Sequence, residues 1–128
     1  MSTIQLDAKW IKAAGVMMAQ KDVRHYLCGV LVDIKTRETR IVGTDGHKLL
    51  VLRREVPDNE SDQVLAQIII PAETVKAVKP ARNIDCTLTY DVGQACTLSM
   101  LSGPALTFQR IDAKYPDYER IIEVREQP

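Results

Sequence analysis

Apolar positions along the chain alternate between two periods, one helical and one of strands. After Asp7, Trp10, Ile11, Ala14, Met17 and Met18 recur at helical spacing, while Lys9, Lys12, Val16 and Gln20 fall on another face. Asp7 precedes the run as an N-cap, because its short carboxylate can accept the first free amide hydrogens of a helix. Gly15 weakens such a helix by about 1 kcal/mol relative to Ala, which tertiary contacts must offset. A second, shorter helix is predicted with Pro71 in its first turn, Glu73 behind it, Val75 and Val78 inward, and Lys76 and Lys79 near the end. Pro80 stops it.

Strands follow each helix. Tyr26 to Ile34 is almost continuously apolar, as expected of a strand covered on both faces. Arg40 to Thr44 and Leu49 to Glu55 come next, with a hairpin turn at Asp45-Gly46. Val56 to Ala66 is rich in Asp, Glu, Asn and Pro and reads as an exposed connection. Gln67 to Ile70 is a short strand leading into the second helix. Asp85 to Asp91 alternates, with Cys86, Leu88 and Tyr90 inward and Thr87 and Thr89 outward; Ala95 to Met100 and Leu106 to Arg110 follow. Strand, helix and three strands therefore occur twice. Neither half can bury its sheet alone. The pattern predicts one α+β domain over residues 1–128, two strand-helix-three-strand halves with both helices packed on one face of antiparallel sheet.

Composition adds constraints. At 128 residues and 45% apolar, the chain has enough material for one core without covalent staples. Its 17 basic and 17 acidic side chains cancel, so contact with nucleic acid would have to come from local placement of Lys and Arg. The start, Met1 to Asp7, has no charged leader before an apolar stretch, and no apolar run approaches a membrane span; a cytoplasmic location without membrane contact is expected. Cys28, Cys86 and Cys96 lie in apolar stretches. A hairpin centred on residues 91–94 would set Cys86 opposite about residue 99, which argues against a bond to Cys96 and for buried free thiols. No Cys or His pair has metal-ligand spacing, so neither metal nor cofactor is expected. Asp45 and His47 share a turn but have no accompanying nucleophile or second carboxylate, so catalysis is not expected.

Three ordered motifs carry a family resemblance. Gln20 to Val30 (Gln-Lys-Asp-Val-Arg-His-Tyr-Leu-Cys-Gly-Val) forms a helix-to-strand junction. Val42 to Leu49 contains Thr-Asp-Gly-His-Lys-Leu, and Tyr115 to Ile121 reads Tyr-Pro-Asp-Tyr-Glu-Arg-Ile. Together they resemble the middle domain of the bacterial DNA polymerase III beta subunit, the beta sliding clamp. The resemblance implies the processivity (DNA clamp) fold and no enzymatic activity. It also implies a pocket for short peptides of DNA polymerases and clamp loaders, built here from Leu27, Thr44, Gly46, His47, Lys48, Leu49, Pro116, Arg120 and Ile121. Leu27, Leu49, Pro116 and Ile121 would supply an apolar cleft; His47, Lys48 and Arg120 would anchor polar or carboxylate groups. Lys48 stands where the family usually has Arg, giving a point charge in place of a planar fork.

The resemblance further implies sequence-independent contact with the double-stranded DNA backbone through Lys9, Lys12, Lys21, Arg24, His25, Lys76, Lys79 and Arg82. Against this, Lys76 and Lys79 also complement the negative end of their helix, and Lys9 and Lys12 are equally suited to a solvated face. Two functions from different classes follow. One is a replication processivity factor, with head-to-tail homo-oligomers closing by edge-strand pairing. The other is a separate binding module or decoy that engages clamp partners without encircling DNA.

Overall fold

The computed structural model describes residues 2–19, 27–46, 48–55, 64–78, 85–90, 95–100, 105–111, 114–116 and 118. The elements run β1 (Ser2–Asp7), α1 (Ala8–Met17), β2 (Gly29–Lys35), β3 (Glu38–Thr44), β4 (Leu49–Glu55), β5 (Val64–Pro71), α2 (Ala72–Ala77), β6 (Asp85–Tyr90), β7 (Ala95–Met100) and β8 (Leu106–Gln109). This is the predicted repeat of strand, helix and three strands.

The strands form two antiparallel four-stranded sheets, ordered β1-β6-β7-β8 and β4-β3-β2-β5. Each half gives its first strand to the other half's meander. β1 pairs with β6, setting Leu6 opposite Cys86, and β5 pairs with β2, setting Ile69 opposite Leu31. The halves are thereby interlocked by backbone hydrogen bonds as well as by a shared core.

Local chemistry accounts for the helices. The Asp7 carboxylate accepts the Lys9 amide hydrogen at 2.9 Å, the predicted cap. Ala8, Ile11, Ala14 and Gly15 are buried, whereas Lys9 and Val16 are exposed. Gly15 has a packing reason, since a Cβ there would lie 2.6 Å from Cγ1 of Val75 on α2. Gly43 is more constrained, for a Cβ there would lie 2.0 Å from the Ala14 carbonyl oxygen. Helix α1 thus rests directly on the backbone of β3, and its sheet could not come so close with any other residue at that position. Pro71 is the last residue of β5, paired with Gly29, and precedes α2 instead of occupying its first turn. The Ala72 amide donates to the Cys28 carbonyl at 3.1 Å, and Val78 closes the short helix by donating to the carbonyls of Thr74 and Val75, each at 3.2 Å.

Several strand ends shift from expectation. The first strand of the β2–β4 meander begins at Gly29, after Leu27 and Cys28, with the Leu27 carbonyl accepting from the Ala19 amide at 2.8 Å. Tyr26 lies outside the described residues. β5 begins at Val64, so the expected connection Val56–Ala66 ends earlier; pairing of Lys35 with Val64, past a register shift beside Ile34, overrides the polar composition of that stretch. Cys86 is opposite Met100 and Cys96 opposite Tyr90, one residue from the expected register and still far from a Cys–Cys pairing. None of the three cysteines forms a disulfide.

Two apolar clusters result. The larger lies between the sheets and around the helices, joining Ile11, Val30, Val32, Ile41, Ile68, Ile70, Leu88, Leu98 and Phe108. Both helices sit on one face of the β4-β3-β2-β5 sheet. Its other face carries the second cluster, Leu31, Val42 and Ile69 with Leu49 and Val51, under Ile111, Tyr115 and Tyr118. Strand β2 is consequently buried on both faces from Gly29 to Ile34, which explains its nearly unbroken apolar run.

Candidate functional site

The β3–β4 hairpin is built by its own side chains. Thr44 pairs with Leu49 at the base of the loop. Within it the Thr44 hydroxyl accepts from the Gly46 amide at 3.0 Å and donates to the Lys48 carbonyl at 2.5 Å. The Asp45 carboxylate accepts the Lys48 amide hydrogen at 2.9 Å. Gly46 takes φ 96°, a left-handed conformation that favours glycine. Asp45 is therefore a turn former whose carboxylate is held by the loop backbone.

This loop presents a particular set of groups. Gly46 and Lys48 are exposed, Thr44 is buried, and Leu49 is half-buried against the outer-face cluster. A strap after β8 covers the same face. It is attached at Ile111, whose amide donates to the Ile69 carbonyl at 3.1 Å, and it brings Tyr115 and Tyr118 onto Leu31, Val42 and Ile69. The two rings meet edge to face, 6.4 Å between centroids at 75°. Pro116, between them in sequence, is exposed. Among the described residues the Tyr115 hydroxyl is buried without a well-formed hydrogen bond. Burial raises its pKa, and the nearby Thr44 backbone opposes the shift only in part.

Thr44, Gly46, Lys48 and Leu49 thus share the β3–β4 hairpin, and Leu49 packs against the cluster that holds Tyr115, the neighbour of Pro116 in sequence. Leu27 is placed differently: it is 1% exposed in the connection leading to β2 and belongs to neither described apolar cluster. His47, Arg120 and Ile121 lie outside the described residues.

Beneath the strap is a polar group that sequence reasoning missed. Asp33, 1% exposed, points from β2 into the outer-face layer. Its carboxylate accepts the Tyr118 hydroxyl hydrogen through a short contact and the Gln67 side-chain amide at 3.3 Å. Arg40 reaches the Tyr118 oxygen at 3.4 Å, with its guanidinium carbon 5.9 Å from that ring's centroid. Glu38 orients Arg40 by accepting from Nε at 2.6 Å and forming an ion pair with its terminal nitrogen. Burial, then the bond to Asp33, raises the Tyr118 pKa, and Arg40 opposes this. The signal in the sequence was Asp33 itself, an acid inside a doubly buried apolar strand, which must find partners.

On the helix side, Lys9 and Lys76 are exposed. Lys12 is half-buried, and its ammonium donates to the Lys76 carbonyl at 2.9 Å, tying α1 to the C-terminal end of α2. That contact places positive charge where the peptide dipoles of α2 are negative. Lys21, Arg24, His25, Lys79 and Arg82 lie outside the described residues. Among the described residues no group of three or more His, Cys, Asp or Glu is arranged to hold a metal, and no helix is long and apolar enough to cross a membrane.

Residues 4–117 match the family described as DNA polymerase III beta subunit, central domain. The chain belongs to that family. Among curated beta sliding clamps, that of Pseudomonas putida is 29% identical over 113 residues, covering 88% of this chain and 30% of the relative. That of Pseudomonas aeruginosa is 32% identical over 108 residues, covering 82% and 28%. The chain therefore spans about 30% of the length of the relatives it matches. Solved structures agree in fold. A putative DNA polymerase III beta subunit from Eubacterium rectale superposes with a TM-score of 0.72 at 15% identity, over 95% of this chain and 34% of that one. The sliding clamp of Bartonella birtlesii, bound to griselimycin, gives 0.73 at 22% identity, over 93% and 34%. The α+β DNA-clamp fold is thus established.

Proposed function

We propose that this chain is a non-enzymatic clamp module of DNA replication that captures short peptides of DNA polymerases and clamp loaders on the outer face of the β4-β3-β2-β5 sheet. The supporting observation is the half-buried Leu49 packed against the outer-face apolar cluster, beside exposed Gly46 and Lys48 of the same hairpin. An apolar side chain of the peptide would seat against Leu49, while Lys48, with His47 and Arg120 carried over from the family motif, would hold its polar or carboxylate groups. The chain would act as one domain over residues 1–128, in the cytoplasm, with exposed edge strands offering a route to homo-oligomers.

The test is titration of a fluorescein-labelled peptide taken from the clamp-binding segment of a DNA polymerase, with griselimycin as competitor. Saturable binding that weakens at least tenfold in the Leu49→Asp, His47→Ala double variant supports the pocket. Equal binding by the double variant and the wild type overturns it.

A second reading has its own support. The zero net charge and the use of Lys12 between the helices favour a peptide-binding module that does not encircle DNA. Under this reading, light scattering gives a monomer at every protein concentration; under the clamp reading it gives a closed oligomer.

A further inference from the structure

We infer that Tyr118, Asp33 and Arg40 are positioning residues for the peptide pocket: they lock the strap after β8 onto the outer sheet face and so fix one wall of the site. This rests on the pocket reading above.

The strap carries the exposed Pro116 between Tyr115 and Tyr118. Among the described residues its path is held at two points. One is the Ile111 amide on the Ile69 carbonyl, a backbone bond at 3.1 Å that extends the free edge of β5. The other is the Tyr118 hydroxyl on the buried Asp33 carboxylate, which Gln67 also engages. Tyr118 and Asp33 are 85 residues apart in sequence and come from opposite halves of the domain. The bond therefore exists only when the strap is docked in register.

Apolar packing alone would keep the strap down but would tolerate sliding, since Tyr115 and Tyr118 lie on a smooth row of Leu31, Val42 and Ile69. A buried carboxylate is less permissive. With the strap slid out of register but still covering it, the carboxylate would keep only the Gln67 amide among its described protein partners, and an under-satisfied buried acid is costly. Arg40 adds direction, because Glu38 holds its guanidinium against the Tyr118 ring and oxygen. A wall fixed in advance loses less conformational freedom on binding, and the effect appears mainly as slower ligand dissociation.

The experiment measures labelled-peptide affinity and dissociation rate for the wild type, Tyr118→Phe, Asp33→Asn and Asp33→Leu, with Leu98→Val as a control. Leu98 is buried in the far sheet, so its variant lowers stability without touching the strap. Tyr118→Phe and Asp33→Leu are expected to weaken binding about 5- to 20-fold, chiefly through faster dissociation. Asp33→Asn keeps a carbonyl acceptor for the Tyr118 hydroxyl and is expected to stay within about threefold of wild type. Amide exchange of residues 111–118 accelerates in Tyr118→Phe and not in Leu98→Val. Should Tyr118→Phe fail to fold, Asp33→Asn against Asp33→Leu carries the same comparison.

Wild-type binding with unchanged affinity in both Tyr118→Phe and Asp33→Leu overturns the positioning role and leaves the pocket standing. An equal loss in Leu98→Val also overturns it, by reducing the effect to general stability. Absence of wild-type binding overturns the pocket and the positioning role together.

Discussion

Tyr115 and Tyr118 occupy the same apolar layer but face opposite polar circumstances. Tyr118 gives its proton to a buried carboxylate, whereas Tyr115 is buried with no well-formed bond among the described residues. Burial is the leading cause that raises both phenols above their ordinary value of 10.0. The native state then keeps both protons at a pH where the unfolded chain has lost them. Their contribution to stability is fully present below about pH 10 and is lost as the pH climbs toward the raised native values. The urea midpoint of the wild type is therefore expected to fall between pH 9 and about pH 11, and Tyr118→Phe to flatten that fall. Identical pH slopes in the two proteins would contradict the assignment. Sequence reading located Tyr118 as part of a motif but not its partner. Asp33 and Tyr118 meet only through tertiary structure, and no local pattern encodes an acid in one half bonding a phenol beyond the other.

At the scale of elements, what was local was legible. Asp7 as a cap, the apolar stripe of α1 and the alternation of β6 follow from neighbours within a few residues, and each is found as expected. Boundaries governed by distant pairing were not. β5 starts at Val64 because β2 reaches that far, and Pro71 belongs to β5 because Gly29 stands opposite. Glycine was read as a local weakness in α1, yet its value lies between elements. Gly43 admits the backbone of α1 and Gly15 admits Val75. The two sites differ in what must yield. At Gly43 the obstacle is helix backbone, at Gly15 a side-chain methyl. Gly43→Ala is expected to cost about 3 kcal/mol or more, and Gly15→Ala less, since its strain is partly offset by a gain of about 1 kcal/mol in helix propensity. Urea unfolding of the two variants checks the order, and the reverse ranking would refute the packing account.

For the whole molecule, the repeat of strand, helix and three strands was visible in the periodicity, while the exchange of first strands was not. Pairing of β1 with β6 joins residues as distant in sequence as Ser2 and Tyr90, a relation with no local signature. The exchange leaves the two helices on a shared surface where Lys9 and Lys76 are exposed. If that surface meets DNA phosphates, the Lys9→Glu, Lys76→Glu pair should reduce both retention on duplex DNA and the steepness of its salt dependence. Retention that is unchanged would assign these lysines to solvent. The Lys12 ammonium, by contrast, is expected to act between helices, and Lys12→Glu should lower stability as well.

Of the candidate pocket, the hairpin set and Pro116 were legible as motifs, and Leu49 of the hairpin packs against the cluster that holds Tyr115, the neighbour of Pro116 in sequence. Leu27 was legible both as a pocket candidate and as an ordinary core residue, and its full enclosure where the α1–β2 connection folds back fits the second. The most direct measurement is a heteronuclear NMR titration of the full chain with the labelled polymerase peptide. The proposed pocket predicts that the largest amide shifts fall in residues 44–49 and 114–118, on the hairpin and the strap. Shifts confined to the β1-β6-β7-β8 sheet or to the exposed helix surface, or no shifts at millimolar peptide, would contradict it.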